Sequence, residues 1–264
     1  MLNTYKTILS KKTQLTSDVY LYHFNLIEPK EIAFYAGQYL IIKIPTDKNP
    51  ISRLYSIASS ATEKNSFKLI IQIIPGGLAS SYLSNLKVKD EIIFQGPAGM
   101  FGLKENDRSK IFLVTGTGIA PVRSMLISNI KNQISKMQFK NQKYHLFWGL
   151  KTYKDAYLLD ELKELTTTVI PAPDDTRRQA PARIHLKICL SREQNLDMIP
   201  EIDKKFFELG RVDSCFEKQL NNLTIKQLNN FDFYLCGGRQ IVESLRQFLV
   251  AKNVPKENIY FEKF

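Results

Sequence analysis

A chain of 264 residues, 44% hydrophobic and 24% charged, has the balance of an ordinary globular protein and is long enough for two domains, which excludes fibrous and wholly disordered classes. Its 37 Lys and Arg against 26 Asp and Glu leave a formal charge of +11, which favours acidic partners; the basic residues are spread along the chain without aromatic interleaving, so nucleic acid is not expected. No stretch approaches the roughly 18 apolar residues of a membrane span, and the start, MLNTYKTILSKK, lacks the apolar core of a signal peptide, so the expected setting is the cytoplasm without membrane attachment.

Up to residue 104 the chain reads as short strands between turn signals. SDVYLYHFNL (17–26), QYLIIKI (38–44) and FKLIIQII (67–74) are β-branched or aromatic runs bounded by Pro, Gly, Asn or Asp, the pattern of a small antiparallel barrel. ASSYLSNL (79–86) breaks the pattern as a short helix. From residue 108 onward apolar strands alternate with amphipathic helices: KIFLVTG then PVRSMLISNI, KYHLFWG then DAYLLDELKEL, RIHLKICLS, and FDFYLCGG then QIVESLRQFLVAK. Such alternation predicts a parallel sheet covered by helices, so the expected fold is two-domain: an antiparallel β-barrel over 1–104, then an α/β parallel-sheet domain over 108–264. The Pro-, Asp- and Arg-rich segment 166–183 is longer than the usual helix-to-strand loop and is expected to be an exposed excursion.

Several short motifs carry chemistry. Arg53-Leu54-Tyr55-Ser56, near the end of an early strand, offers a guanidinium and a ring on one face and a hydroxyl on the other. Pro75-Gly76-Gly77-Leu78-Ala79-Ser80 opens the short helix and suits a pyrophosphate, with Ser80 as cap or ligand. Gly116-Thr117-Gly118-Ile119-Ala120-Pro121 joins a strand to a helix, where glycines let backbone amides approach an anion. Its spacing is not GxGxxG, and a tight turn without ligand is the alternative. Cys236-Gly237-Gly238 stands at the same topological place in a later unit; a lone Cys is commonly just a small buried hydrophobe. Gly96-Pro97-Ala98-Gly99-Met100-Phe101 reads as a structural turn. Cys189, Cys215 and Cys236 are too few and scattered for a disulfide framework, a zinc site or an iron-sulfur cluster, so no metal is expected and any cluster would sit on another protein. His23, His145 and His185 lie in strand-like runs and are not expected to be catalytic.

Taken in order, these motifs resemble the ferredoxin-NADP reductase family, and the resemblance spans essentially the whole chain. It implies an FAD-binding barrel and a nucleotide-binding sheet. Arg53 would hold the flavin pyrophosphate, Tyr55 would stack on the isoalloxazine and Ser56 would lie near N5; Leu54, Ile71, Gln72, Ile73, Gly77, Leu78, Ala79 and Ser80 would complete the cradle. Thr117 and Gly118 would line the pyrophosphate of the second nucleotide, with Cys236 and Gly237 against the nicotinamide. The Glu262-Lys263-Phe264 run matches the family's acidic residue and aromatic ring two positions on: Phe264 would cover the flavin face until the nicotinamide displaces it, and Glu262 would sit near Cys236 and Ser56. Ser191-Arg192 and Arg211 resemble contacts to a 2′-phosphate, which favours NADPH, whereas Lys151, where some members carry Arg, and Glu193 keep NADH open.

The implied activity is transfer of a hydride from NADPH to FAD and then of single electrons to a separate acidic protein, a ferredoxin or flavodoxin, by a monomer. FAD over FMN rests on the resemblance. Alternatives are an NADH-dependent reductase component of an oxygenase or of free flavin, and a flavin-binding interaction subunit without catalysis.

Overall fold

In the computed structural model all residues are described except 1, 47–48, 137–142, 168, 172–178, 182–183 and 221–227. The chain forms two compact units, Met1–Leu103 with Ala120–Asn129, and Lys104–Ile119 with Ile130–Phe264. No helix among the described residues is long and apolar enough to cross a membrane.

The first unit is built on β1 (Asn3–Gln14), β2 (Val19–Glu28), β3 (Tyr39–Ile44), β4 (Ile51–Ser56), β5 (Ser66–Gln72) and β6 (Glu91–Ala98), with helix α1 (Leu78–Asn85) between β5 and β6. All pairings are antiparallel, in the order β4-β3-β6-β1-β2-β5. The sheet curls until its edges meet: Ile57, just past β4, bridges Leu69 of β5, and Ala58 N–H donates to Lys68 O at 2.8 Å. Closure removes the open edges that would otherwise expose unpaired amides. Inward-facing Tyr22, Phe24, Phe67, Leu69 and Phe94 fill the barrel, with Phe94 edge-on to Phe24 and Phe67.

Features that depart from the expected elements include β6, which takes in Gly96–Ala98 of the expected turn because these residues pair with β1 and β3, and two others. β1, flanked by β2 and β6, is not among the anticipated strands; its apolar inward residues Tyr5 and Leu9 are interspersed with Lys, Ser and Thr, and the inward Thr7 is satisfied only by donating to Ile92 O at 2.8 Å. The 166–183 excursion carries a small antiparallel pair, β9 (Val169–Pro171) with β10 (Gln179–Pro181), while 172–178 lies outside the described residues.

The second unit holds a parallel sheet of β7 (Ser109–Thr115), β8 (Tyr144–Leu150), β11 (Ile184–Leu190), β12 (Phe207–Leu209), β13 (Phe231–Gly237) and β14 (Ile259–Lys263), ordered β12-β11-β8-β7-β13-β14. Its helices are α2 (Ile119–Lys136), α3 (Leu159–Thr167), α4 (Glu201–Lys204), α5 (Val212–Leu220) and α6 (Arg239–Ala251), although the Ala120–Asn129 stretch of α2 clusters with the barrel. Ile111, Leu113, Phe147, Phe233 and Leu235 form one core face, covered by Val212 and Phe216 of α5 and by Val242, Leu245 and Leu249 of α6. The three α6 residues lie at helical spacing, the stripe a helix must bury against a sheet. From β7 the chain builds outward in one direction through β8, β11 and β12, then returns to place β13 and β14 on the other side. The strand order therefore reverses between β7 and β13, the position where open parallel sheets bind ligands beyond their carboxyl ends.

The base of this sheet is held by a buried charge cluster. Asp232 is wholly buried and accepts from Lys110 Nζ at 2.7 Å, Asn106 Nδ2 at 2.8 Å and Arg108 Nη1 at 3.2 Å. Burial works against the Asp232 charge, but the Lys110 and Asn106 hydrogen bonds and the Lys110 charge outweigh it and hold the carboxyl below its ordinary range. A depressed carboxylate contributes stability above its unfolded pKa and loses it as pH falls through its folded pKa. Asp232→Ala, which removes the buried carboxylate that faces Lys110 and Arg108, should lower unfolding stability by about 3–5 kcal/mol near neutral pH. Urea titrations at pH 7 and pH 3.5 check this, and the difference between mutant and wild type should shrink at the lower pH.

Candidate active site

In the barrel, the Arg53-Leu54-Tyr55-Ser56 run forms the end of edge strand β4, paired with Ile42, Ile41, Leu40 and Tyr39. Ser56 is buried, Tyr55 is half-buried with its ring against the core, and Arg53 and Leu54 are exposed. Burial raises the Tyr55 phenol despite the nearby Arg53 charge, so the ring is neutral. The Arg53 guanidinium donates to Ser52 O at 2.9 Å and has no ion pair among the described residues. The residues after Ser56 are fixed by α2: Ser124 Oγ donates to Ser59 O at 2.6 Å, Arg123 donates to Ala58 O, and Ser128 Oγ accepts from Ala61 N–H at 2.9 Å. No local motif announces Arg123, Ser124 or Ser128.

On β5, which closes against the end of β4, Ile71 and Gln72 end the strand, followed by Ile73, and the turn at Gly76 and Gly77 leads into α1. Gly76 has φ of 75°, and a Cβ there would meet nothing within 4 Å, so the turn faces open space. Gly77 is the N-cap without a side-chain hydrogen bond, and no acidic residue stands in the first turn. None of the described hydrogen bonds uses the N–H of Leu78 or Ala79, as befits a helix start that leaves donors unsatisfied. Ser80 does not cap the helix; its buried Oγ accepts from Ile74 N–H at 2.8 Å and latches the turn. Exposed Ile74 and Leu78 flank this open amide face.

In the second unit the two glycine loops adjoin at the reversal of strand order. Gly116–Gly118 forms a 3-10 turn after β7, and Gly237 and Gly238 lead from β13 into α6. A Cβ on Gly118 would lie 2.4 Å from Cys236 O, and one on Gly237 would lie 2.2 Å from Thr115 Oγ1, so each loop is glycine because the other occupies the space. Gly116 (φ 53°) and Gly238 face open space instead. The Gly116 carbonyl is held by Trp148 Nε1 at 3.0 Å and Tyr157 Oη at 3.4 Å, which turns the loop's remaining groups outward.

The sheet also gathers the later residues. In register, Cys236 pairs with Val114 on one side and Glu262 on the other. Phe264 N–H donates to Gly237 O at 3.1 Å and its carbonyl accepts from Arg239 N–H at 3.3 Å, so its backbone is pinned while 53% of the residue is exposed. Burial, reinforced by the Glu262 carboxylate, pushes the Cys236 thiol well up, so Cys236 is a neutral thiol. That makes it a shape-determining group beside an open loop and not a nucleophile.

The adenosine-end candidates are less convergent. Ser191 Oγ donates to Leu150 O at 3.1 Å, and Arg192 is exposed with no ion pair among the described residues. Arg211 is exposed and lies 3.5 Å from Asp213. Glu193 Oε1 accepts from Tyr153 N–H at 3.1 Å, which occupies the acid that could otherwise meet a ribose.

These donor sets fit a flavin dinucleotide and a nicotinamide dinucleotide. The barrel offers an exposed guanidinium, a neutral ring and an open helix start; the sheet offers two apposed glycine loops with open outer faces.

Known families agree. Residues 6–102 match the oxidoreductase FAD-binding domain and residues 112–247 match the oxidoreductase NAD-binding domain. The toluate 1,2-dioxygenase electron transfer component of Pseudomonas putida is 28% identical over 262 residues, 98% of this chain and 67% of its own length. The anthranilate 1,2-dioxygenase electron transfer component of Acinetobacter baylyi is 28% identical over 236 residues, 89% of this chain and 59% of its own length, so this chain spans only part of such relatives. The crystal structure of a ferredoxin NADP+ reductase from Neisseria gonorrhoeae with bound FAD and NADP has the same fold, with a TM-score of 0.74 at 18% identity over 99% of this chain and 98% of that one. The chain belongs to the oxidoreductases that join this FAD-binding domain to this NAD-binding domain.

Two outcomes follow from the site. Gly118→Ala must displace the Cys236 backbone, so it should raise KM for the nicotinamide nucleotide at least about tenfold with FAD content unchanged, as read by steady-state kinetics and flavin absorbance. All three cysteines are free and buried, so the native protein at pH 7.5 should give no rapid thiol titre with a disulfide reagent, whereas the unfolded chain should give three.

Proposed function

We propose that this chain is an NADPH-dependent reductase that delivers electrons singly to a separate acidic protein of the ferredoxin or flavodoxin kind. Bound flavin supplies the exchange between two-electron and one-electron chemistry. The carrying observation is the cluster at the carboxyl ends of β7, β13 and β14, where Gly118, Cys236, Glu262 and Phe264 stand around one open loop pair. In this reading Thr117 and Gly118 receive the pyrophosphate, and Cys236 and Gly237 set the nicotinamide's approach. Arg53 and the start of α1 hold the flavin pyrophosphate, Tyr55 supports the ring, and Ser56 lies at its reacting edge, while Glu262 stands beside Cys236. Phe264, with a pinned backbone and half of the residue exposed, gates the nicotinamide's place beside Gly237. A formal charge of +11 steers an acidic partner, the protein acts as a monomer, and action in the cytoplasm agrees with the free cysteines.

NADPH is favoured because Arg192 is exposed and uncommitted, the condition for gripping a 2′-phosphate. A second reading, an NADH-dependent reductase component serving an oxygenase, is favoured by the Arg211–Asp213 contact, which draws one guanidinium away from that role. It is also favoured by the names of the relatives, which are electron transfer components of dioxygenases.

The two readings separate on kcat/KM for NADPH and NADH with purified flavoprotein. NADPH preference that falls about tenfold in Arg192→Ala supports the first. An NADH preference unaffected by that change supports the second. Failure of the flavoprotein to reduce any ferredoxin, flavodoxin or artificial one-electron acceptor with either nucleotide contradicts both.

A further inference from the structure

Lys12 has no place in the chemistry above, yet it makes one of the most concentrated contacts in the barrel. It stands near the end of β1 and reaches the far end of α1, where its Nζ donates to Ser84 O at 2.6 Å, Leu86 O at 3.3 Å and Leu83 O at 3.4 Å. The Tyr22 hydroxyl adds a donor to Leu83 O at 2.9 Å. The same Nζ lies over the rings of Tyr20 at 5.5 Å and Tyr22 at 5.4 Å. No carboxylate among the described residues pairs with Lys12, and half-burial pushes its pKa down. A half-buried ammonium gathered onto three carbonyls and two ring faces, with no carboxylate beside it among the described residues, asks for a role.

α1 supplies that role. It has only eight residues, a length at which an isolated helix is marginal. It lacks the usual end devices: no basic residue in its last turn, an extended Leu86 where glycine commonly stands, and no side-chain cap or acid at its start. Its last carbonyls are satisfied instead from two strands distant in sequence, and its start, open and unacidified, is the end assigned to the flavin pyrophosphate. A cation at a helix C-terminus also offsets the negative pole of the helix.

We propose that Lys12, assisted by Tyr22, is a positioning residue for the flavin: by gathering the last carbonyls of α1 onto β1 and β2 it fixes the direction in which the Leu78 and Ala79 amides meet the FAD pyrophosphate. This rests on the FAD reading of the same turn and adds the residues that aim it. Lys12 does not touch the flavin itself.

The test is the rate of FAD release from the holoprotein on dilution into flavin-free buffer, followed by recovery of flavin fluorescence. Lys12→Met should accelerate release about tenfold, the loss expected for one charged donor. Lys12→Arg, which keeps charge and donors, should restore release to within about twofold of wild type. Tyr22→Phe, which keeps the ring and removes only the hydroxyl, guards against a Lys12→Met protein that fails to fold, and should accelerate release about fivefold. The visible absorption of flavin still bound should be the same in every variant. Wild-type release rates in both Lys12→Met and Tyr22→Phe, or an Arg variant no better than Met, would overturn the proposal while leaving FAD binding standing. A wild-type chain that takes up no FAD would overturn both.

Discussion

The second unit depends on two backbone loops lying closer together than any side chain would permit. Gly118 and the Cys236–Gly237 backbone approach until a single methyl group would collide. That approach follows from topology: β7 and β13 are adjacent because the strand order reverses between them, and both loops leave the same end of the sheet. Parallel pairing then carries β14 alongside β13, which delivers Glu262 beside Cys236 and Phe264 to the Gly237 carbonyl. The chemistry attributed to these residues is therefore a consequence of register, because a shift of one residue in β14 would turn Glu262 to the other face.

The barrel solves a different problem with related means. The start of α1, which the proposed reading gives to an anion, has neither a side-chain cap nor an acid to stabilise it. Stabilisation comes from the other end, through Lys12 and Tyr22, and from the turn itself, through Ser80 and Ile74. Likewise the residues following Ser56 are braced from behind by Ser124, Arg123 and Ser128, which leaves the exposed face of Arg53 unobstructed. In both places the groups that the proposed reading offers to a ligand are held from behind by other side chains.

Much of this was legible in the sequence because it is local. Strand-to-helix glycine turns, the change from short strands to alternating strand and helix, and the Arg-x-Tyr-Ser run all announce themselves within a few residues. What escaped reading is nonlocal. β1 escapes because its few apolar positions are interrupted by polar residues whose partner, as for Thr7 and Ile92, lies far along the chain. Trp148 and Tyr157 look like ordinary apolar residues until parallel pairing sets them beside the Gly116 carbonyl. Ser80 sits where a cap or ligand belongs and instead closes a turn, a choice set by the geometry of Ile74. Lys12 carries no sign at all, since the helix it serves begins 66 residues later.

In the proposed reading, FAD and a nicotinamide nucleotide exchange electrons on this one chain. Anaerobic titration of the FAD-loaded protein with NADPH and with NADH tests it most directly. About one equivalent of the preferred nucleotide should bleach the oxidised flavin band, and an added one-electron acceptor should restore it. A protein that retains FAD, binds nicotinamide nucleotide and keeps its oxidised spectrum with either donor would contradict it.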